Sequence, residues 1–220
     1  MFATFSEDKS IISKQIGHPL IDAEARICND LTIDPPGQFL LVTGSNMSGK
    51  STLLRSVGLN LTLAQAGAPT CTESFQTPSV HIVTSLRVED SLTEGVSFFM
   101  AELKCIKAAV KLADDPPEGR VLLYLFDEIL RGTNSVERQA IVQQLIGHLL
   151  KRNAIGAVTT HDLALAEIDE LKPAAKAVHF REGFEDTDDG TKMTFDYQLR
   201  DGLATTTNAI KLLEMIDLKL

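Results

Sequence analysis

Cysteine is scarce and scattered in this chain: Cys28, Cys71 and Cys105 are the only three in 220 residues, and no two form a C-x-x-C pair. An odd number so widely spaced excludes a disulfide framework and predicts free buried thiols in a reducing compartment. The five histidines show no H-x-x-x-H spacing, which argues against a structural zinc. No apolar run approaches the roughly 20 residues needed to cross a bilayer. Met1 to Lys9 lacks the basic and apolar regions of a signal peptide. These absences lead to the expectation of a cytoplasmic protein with no membrane segment in this chain. Positive charge is also short, with 21 Lys and Arg against 30 Asp and Glu and a net charge of −9. A domain that grips nucleic acid by neutralising phosphates normally shows a basic surface. If DNA is involved, most of its contacts are therefore expected outside these residues.

The octapeptide Gly44-Ser45-Asn46-Met47-Ser48-Gly49-Lys50-Ser51 fits the phosphate-binding pattern G-x-x-x-x-G-K-S/T. Before it runs Phe39-Leu40-Leu41-Val42, a short apolar segment that reads as a buried strand; after it, from Thr52, a helix is expected to about Gly67. Glycines let the backbone wrap phosphate oxygens, with successive N–H groups and a helix N-terminus facing the negative charge. Lys50 would then reach the β- and γ-phosphates, and the Ser51 hydroxyl would take a place on Mg²⁺.

Further along, Ala25 to Ile33 alternates roughly with period two and suggests an exposed strand, followed by a turn at Asp34-Pro35-Pro36-Gly37. Val80 to Val83 is another short strand. Ser97 to about Leu112 carries apolar residues at helical spacing, with Phe98, Met100, Leu103, Ile106 and Val110 near one face. Val121 to Phe126 is an uninterrupted apolar run typical of a buried parallel strand. A helix fits Ser135 to Leu150, and Ala154 to Val158 reads as the next buried strand. Lys192 to Leu199 alternates strictly, and is expected to pair with Ala177 to Phe180 through an acidic turn ending Asp189-Gly190. A closing helix is expected from about Thr206. Strand–helix alternation followed by a hairpin points to an α/β fold with a mostly parallel sheet and antiparallel edge strands.

Asp127-Glu128 closes the strand Val121–Phe126. A carboxylate beside the phosphate loop can organise Mg²⁺, and Asp127 suits that role. Glu128 could polarise the attacking water as general base. Thr159-Thr160-His161-Asp162 ends the following strand, where the His161 imidazole could donate to a γ-phosphate.

Taken in order, these motifs resemble the ATPase domain of the MutS family, an ABC-type branch of the P-loop ATPases involved in DNA mismatch recognition. Thr43 to Thr52, TGSNMSGKST, is similar to that family's phosphate loop. Asp90-Ser91-Leu92 through Gly95 and Ser97-Phe98-Phe99-Met100-Ala101-Glu102 resemble its signature segment. Asp127 to Thr133 resembles its Walker B strand end, and Thr160-His161 its switch histidine. Gly17-His18-Pro19-Leu20 and Ile27 to Leu31 also fit. The similarity covers about residues 17 to 213 of what reads as a single domain over 1–220, expected to be a piece of a longer protein.

The resemblance implies ATP and Mg²⁺ as cofactors, held by Gly44 to Thr52, with Ser51 and Asp127 on the metal and Lys50, Glu128 and His161 in catalysis. It also implies a homodimer whose ATP site is composite, Ser97 of one protomer serving the nucleotide of the other. DNA would be engaged through domains outside this chain, with downstream repair proteins as further partners. Three positions depart from the family pattern. Leu130 and Ser48 stand where glycines are usual, replacements that read as tolerable. Arg26 stands where an aromatic usually stacks on adenine; a guanidinium can stack too. The function expected is ATP hydrolysis coupled to mismatched-DNA recognition. The alternative is an ATP-gated module in a MutS relative acting in recombination control or another non-mismatch role. A transporter-type ABC ATPase is disfavoured, since no LSGGQ-like pentapeptide precedes the Walker B strand.

Overall fold

The computed structural model describes residues 1–86, 98–117, 119–130, 134–187 and 190–204. The strands are β1 (Thr4–Phe5), β2 (Ile11–Ile16), β3 (Asn29–Ile33), β4 (Phe39–Thr43), β5 (Ser74–Thr77), β6 (Val80–Ser85), β7 (Val121–Asp127), β8 (Ala154–Thr160), β9 (Ala175–His179), β10 (Glu182–Thr187), β11 (Gly190–Phe195) and β12 (Arg200–Asp201). The helices are α1 (Lys50–Gln65), α2 (Phe98–Asp114) and α3 (Ser135–Leu149), with a 3₁₀ turn at Leu163–Glu167.

The main sheet runs in the order β12-β9-β4-β8-β7-β6. β9, β4, β8, β7 and β6 are parallel to their neighbours, and β12 is an antiparallel edge. The fold is therefore α/β, with the mostly parallel sheet and antiparallel edge that the sequence pattern leads one to expect. Each central strand is apolar on both faces because each face is covered. Leu40, Val42, Leu123, Leu125, Ile155 and Ala157 pack with Leu54, Val57 and Leu61 of α1. Phe39, Leu41, Leu122, Tyr124, Phe126 and Val158 pack on the other side with Ala109 of α2 and Val142, Ile146 and Leu149 of α3.

A second sheet, β1-β5-β2-β3, joins the α1 side of the core through Ile11, Ile16, Leu31, Ile33 and Phe75. Asn60, fully buried in α1, fastens that sheet to the helix. Its amide donates to the Gly17 carbonyl at 2.9 Å, and its side-chain oxygen accepts from Cys71 N at 2.6 Å.

Several elements differ from their sequence reading. The strand expected over Ala25–Ile33 begins only at Asn29, because Ala25 and Arg26 turn back to donate to the Asp22 carbonyl. Its alternate residues Asn29, Leu31 and Ile33 are buried, so it is a half-buried strand rather than an exposed one. The hairpin partner also changes. Ala175–His179 pairs in parallel with β4 inside the main sheet, and β11 instead pairs with β10 as a separate two-stranded ribbon. Met100 is 51% exposed and lies off the packed face of α2, whereas Leu103, Ile106 and Val110 pack against the core. The three cysteines are free but half-buried. The Asp90–Gly95 segment, Ser97, Arg131 to Thr133 and the helix expected from Thr206 lie outside the described residues. No helix among the described residues is long and apolar enough to cross a membrane.

Candidate functional site

The chain leaves β4, wraps through residues 44–49 and enters α1 at Lys50. That wrap needs left-handed backbone at Gly44 (φ +138°), Met47 (φ +68°) and Gly49 (φ +110°). At Gly44 a side chain is also excluded by space, since a Cβ there would sit 2.9 Å from the Phe180 carbonyl oxygen. Ser48 is buried inside the wrap, and its hydroxyl has no hydrogen-bond partner among the described residues. Ser45 Oγ donates to the buried Glu182 at 3.1 Å, linking the loop to β10.

Lys50 is 4% exposed. Its Nζ donates to the carbonyls of Gly44 and Ser45, both at 2.8 Å, and lies 3.2 Å from Glu128 Oε1. Glu128 Oε2 is 3.0 Å from His161 Nδ1. Three segments thus converge on one buried carboxylate: the loop after β4, the end of β7 and the end of β8. The register explains the convergence. Asp127 stands opposite Thr159 in the parallel ladder. Thr159 Oγ1 donates to Asp127 Oδ1 and accepts from Glu128 N at 3.1 Å, while the Thr159 carbonyl accepts from the same N–H at 3.2 Å. Glu128 adopts φ +48° to turn its side chain out of the strand. Leu130, two residues on, has φ +61° and is fully buried. The glycine-like backbone at that position makes leucine a strained substitute rather than a neutral one.

His161 is followed by a tightly bound turn. Asp162 accepts from Gln139 Nε2 at 2.9 Å, from Ala164 N at 3.1 Å and from Arg138 Nη2 at 3.2 Å. Burial raises the Asp162 pKa, but these donors outweigh it and hold the carboxyl below its ordinary value.

A cavity of about 450 Å³ opens over the loop of residues 44–49. Asn46, Met47, Gly49, Lys50, Ser51, Thr52 and Glu128 line its polar end. Ile16, Ile21, Ala25 and Ile27 line its apolar end, with Phe180 and Tyr197. Asn29 ties the two walls together. Its amide donates to the Tyr197 carbonyl at 3.0 Å, and its oxygen accepts from Leu199 N at 2.7 Å. Sequence reasoning placed Asn29 in a family-like segment without a role and missed Phe180, Tyr197 and Glu182, because all four act across long sequence separations. Gly44, Ser45, Ser48, Asp127 and His161 adjoin the cavity through the contacts above without lining it. Arg26 does not line it either. Its guanidinium donates to the Ile21 carbonyl and, at 2.7 Å, to Cys71 Sγ.

Comparison with known proteins decides the family. A model described as MutS domain V matches residues 40–219. The chain belongs to the MutS family. It is 31% identical to the DNA mismatch repair protein MutS of Listeria welshimeri over 98% of this chain and 25% of that protein. It is 30% identical to the DNA mismatch repair protein MutS of Geobacillus sp. (strain WCH70) over 97% of this chain and 24% of that protein. It is 33% identical to the human MutS protein homolog 4 over 89% of this chain and 21% of that protein. The chain thus spans about a quarter of the length of the MutS relatives it matches.

Proposed function

We propose that this MutS family chain is an ABC-type P-loop ATPase module, hydrolysing Mg²⁺-bound ATP to drive a dimeric, DNA-repairing parent protein between states. The observation that carries this reading is the Lys50–Glu128–His161 cluster at the polar end of a cavity whose rim is the phosphate loop. Nucleotide phosphates would lie along residues 44–52, with Lys50 exchanging Glu128 and two carbonyls for phosphate oxygens. Glu128 would accept the proton of the attacking water, and His161 would orient the terminal phosphate. The base would lie between Ile27 and Tyr197, with Arg26 bracing the wall rather than stacking. Ser51 and Asp127 supply the hard oxygen donors that suit Mg²⁺, and Thr159 fixes the Asp127 carboxylate. The ion would neutralise charge on the phosphates. Few protein ligands are needed, since magnesium keeps phosphate and water in its shell.

The test is ATP turnover with and without Mg²⁺. Glu128→Gln should bind MgATP but hydrolyse it at least 10²-fold more slowly, about what a general base contributes. Near-normal turnover in that variant would move the base elsewhere. The composite site is tested by mixing inactive Glu128→Gln and Ser97→Ala proteins. Recovery of activity supports a Ser97 acting in trans, and no recovery from a demonstrated mixed dimer opposes it. A second reading, a MutS relative acting outside mismatch repair, stands beside it because the chain is 33% identical to a relative named only MutS protein homolog 4 and 31% identical to one named for mismatch repair. Mismatch-selective DNA binding by the full parent protein separates the two. This acidic chain alone should bind duplex DNA weakly and without mismatch preference.

A further inference from the structure

The Glu128 reading leaves a second buried carboxylate unexplained. Glu102 lies in the second turn of α2 and is 2% exposed. Both its carboxylate oxygens lie 3.1 Å from Leu130 N, the N–H two residues beyond Glu128. A carboxylate is taken out of water at large cost unless it satisfies something specific, and here it grips a main-chain donor. That donor belongs to a residue in strained left-handed backbone (φ +61°), in a turn whose first member, Glu128, is left-handed as well (φ +48°). The packing of Leu130 buries the side chain but does not favour that backbone. A charge-assisted hydrogen bond to Leu130 N does, because the N–H meets the carboxylate only when the turn is made.

We propose that Glu102 is a positioning residue for the hydrolytic site: its carboxylate locks the turn 128–130 so that Glu128 faces Lys50 and the cavity. The inference rests on Glu128 being the general base. Its physical core, the locking of the turn, is independent of that assignment. Glu102 touches no substrate, so nucleotide binding is untouched when it is changed; only the placement of Glu128 suffers.

The test compares Glu102→Ala, Glu102→Asp and Glu102→Gln with wild type, each checked for folding by thermal unfolding. Glutamine keeps an acceptor at the same reach, whereas aspartate withdraws it by one methylene. Turnover in Glu102→Ala and Glu102→Asp should fall about tenfold to a hundredfold, as one charged hydrogen bond is lost. Affinity for a non-hydrolysable ATP analogue, read by calorimetry, should stay within about twofold of wild type. Glu102→Gln should recover most of the turnover. Hydrogen exchange of the ligand-free proteins should show the Leu130 amide losing protection in Glu102→Ala and Glu102→Asp and keeping it in Glu102→Gln. If Glu102→Ala does not fold, Glu102→Asp decides. Wild-type turnover in a folded Glu102→Asp, or unchanged Leu130 protection in it, overturns the proposal. Turnover and analogue affinity falling in parallel also overturns it, by pointing to general loosening. If Glu128→Gln hydrolyses ATP normally, the base assignment fails while the exchange experiment still decides the locking role.

Discussion

Replacing Lys50 with alanine separates the energetics of the resting site from its chemistry. Lys50 and Glu128 are each 4% exposed at the side chain and lie 3.2 Å apart. Removing one partner of a buried pair costs about 3–5 kcal/mol when the other stays dry. Here it does not stay fully dry, because both residues line a cavity of about 450 Å³ that water can enter once the lysine is gone. His161 also remains 3.0 Å from the carboxylate. Both effects pull the figure down, and we expect Lys50→Ala to lower unfolding stability by about 2 kcal/mol. In a domain of this size that is a fall of roughly 4–8 °C in Tm. Glu128→Gln should cost about 1 kcal/mol, and the double variant less than the sum, leaving a coupling of about 1 kcal/mol or more. Urea unfolding of the four ligand-free proteins measures this cycle. Adding MgATP at about 100 times its Kd should stabilise wild type by about 2.7 kcal/mol and leave Lys50→Ala unmoved. An additive cycle, or equal stabilisation of both proteins by MgATP, would refute the reasoning.

Ser48→Ala should be neutral or stabilising by up to about 1 kcal/mol, since it deletes a buried hydroxyl that has no partner among the described residues; a loss of stability in urea unfolding would show the hydroxyl is satisfied. Gly156→Ala should destabilise by about 1–3 kcal/mol or more. Its Cβ would fall 2.4 Å from both the ring and the carbonyl oxygen of Tyr124, and an unchanged midpoint would contradict this close packing. The third case concerns pH. Burial, with Arg55 and Arg26 nearby, holds His18 below its ordinary value of 6.5. Its Nδ1 also accepts from Leu20 N, which requires a ring unprotonated there. The unfolded chain then binds a proton that the folded chain declines, so stability rises with pH across the range just below 6.5 and is lost as pH falls. Unfolding midpoints of His18→Asn should show a flatter pH dependence than wild type, and parallel curves would sink the assignment.

The parts of the fold legible in the sequence are those whose signals are local. β4, β7 and β8 are uninterrupted apolar runs because both faces are covered, and the wrap before α1 announces itself through Gly44, Gly49 and Lys50. The walls of the cavity were not legible in the same way. β2 reads Ile-Ile-Ser-Lys-Gln-Ile, and its pairing with β3 shifts register between Ser13 and Ile16, so no clean alternation survives. β10 is Glu-Gly-Phe-Glu-Asp-Thr, a composition of low strand propensity that is held by its ribbon partner. With β10 so weakly marked, the apolar run nearest to Lys192–Leu199 in sequence is Ala177–Phe180, which the main sheet takes for itself. At the site, Lys50, Glu128 and His161 stand in recognisable motifs and converge, whereas Arg26 is marked only by its position in the family pattern, and its guanidinium bonds Ile21 and Cys71. The strain at Leu130 could not be read either, since a leucine in sequence carries no mark of its φ.

The strand order bears on how such a chain can change over time. β8 lies between β4 and β7, so the gap from the loop after β4 to the carboxylate at the end of β7 is two ladder spacings, roughly 10 Å. That gauge is set by main-chain hydrogen bonds and is indifferent to which apolar side chains fill the layers above and below. Substitutions in the two cores therefore alter how firmly the layers adhere and leave the gauge alone. Only a slip of β8 by whole residues would detune it, and a slip of one would turn its side chains to the opposite layers. About two-thirds of the residues differ from those of a MutS relative, and a spacing held by main-chain bonds does not depend on which residues those are.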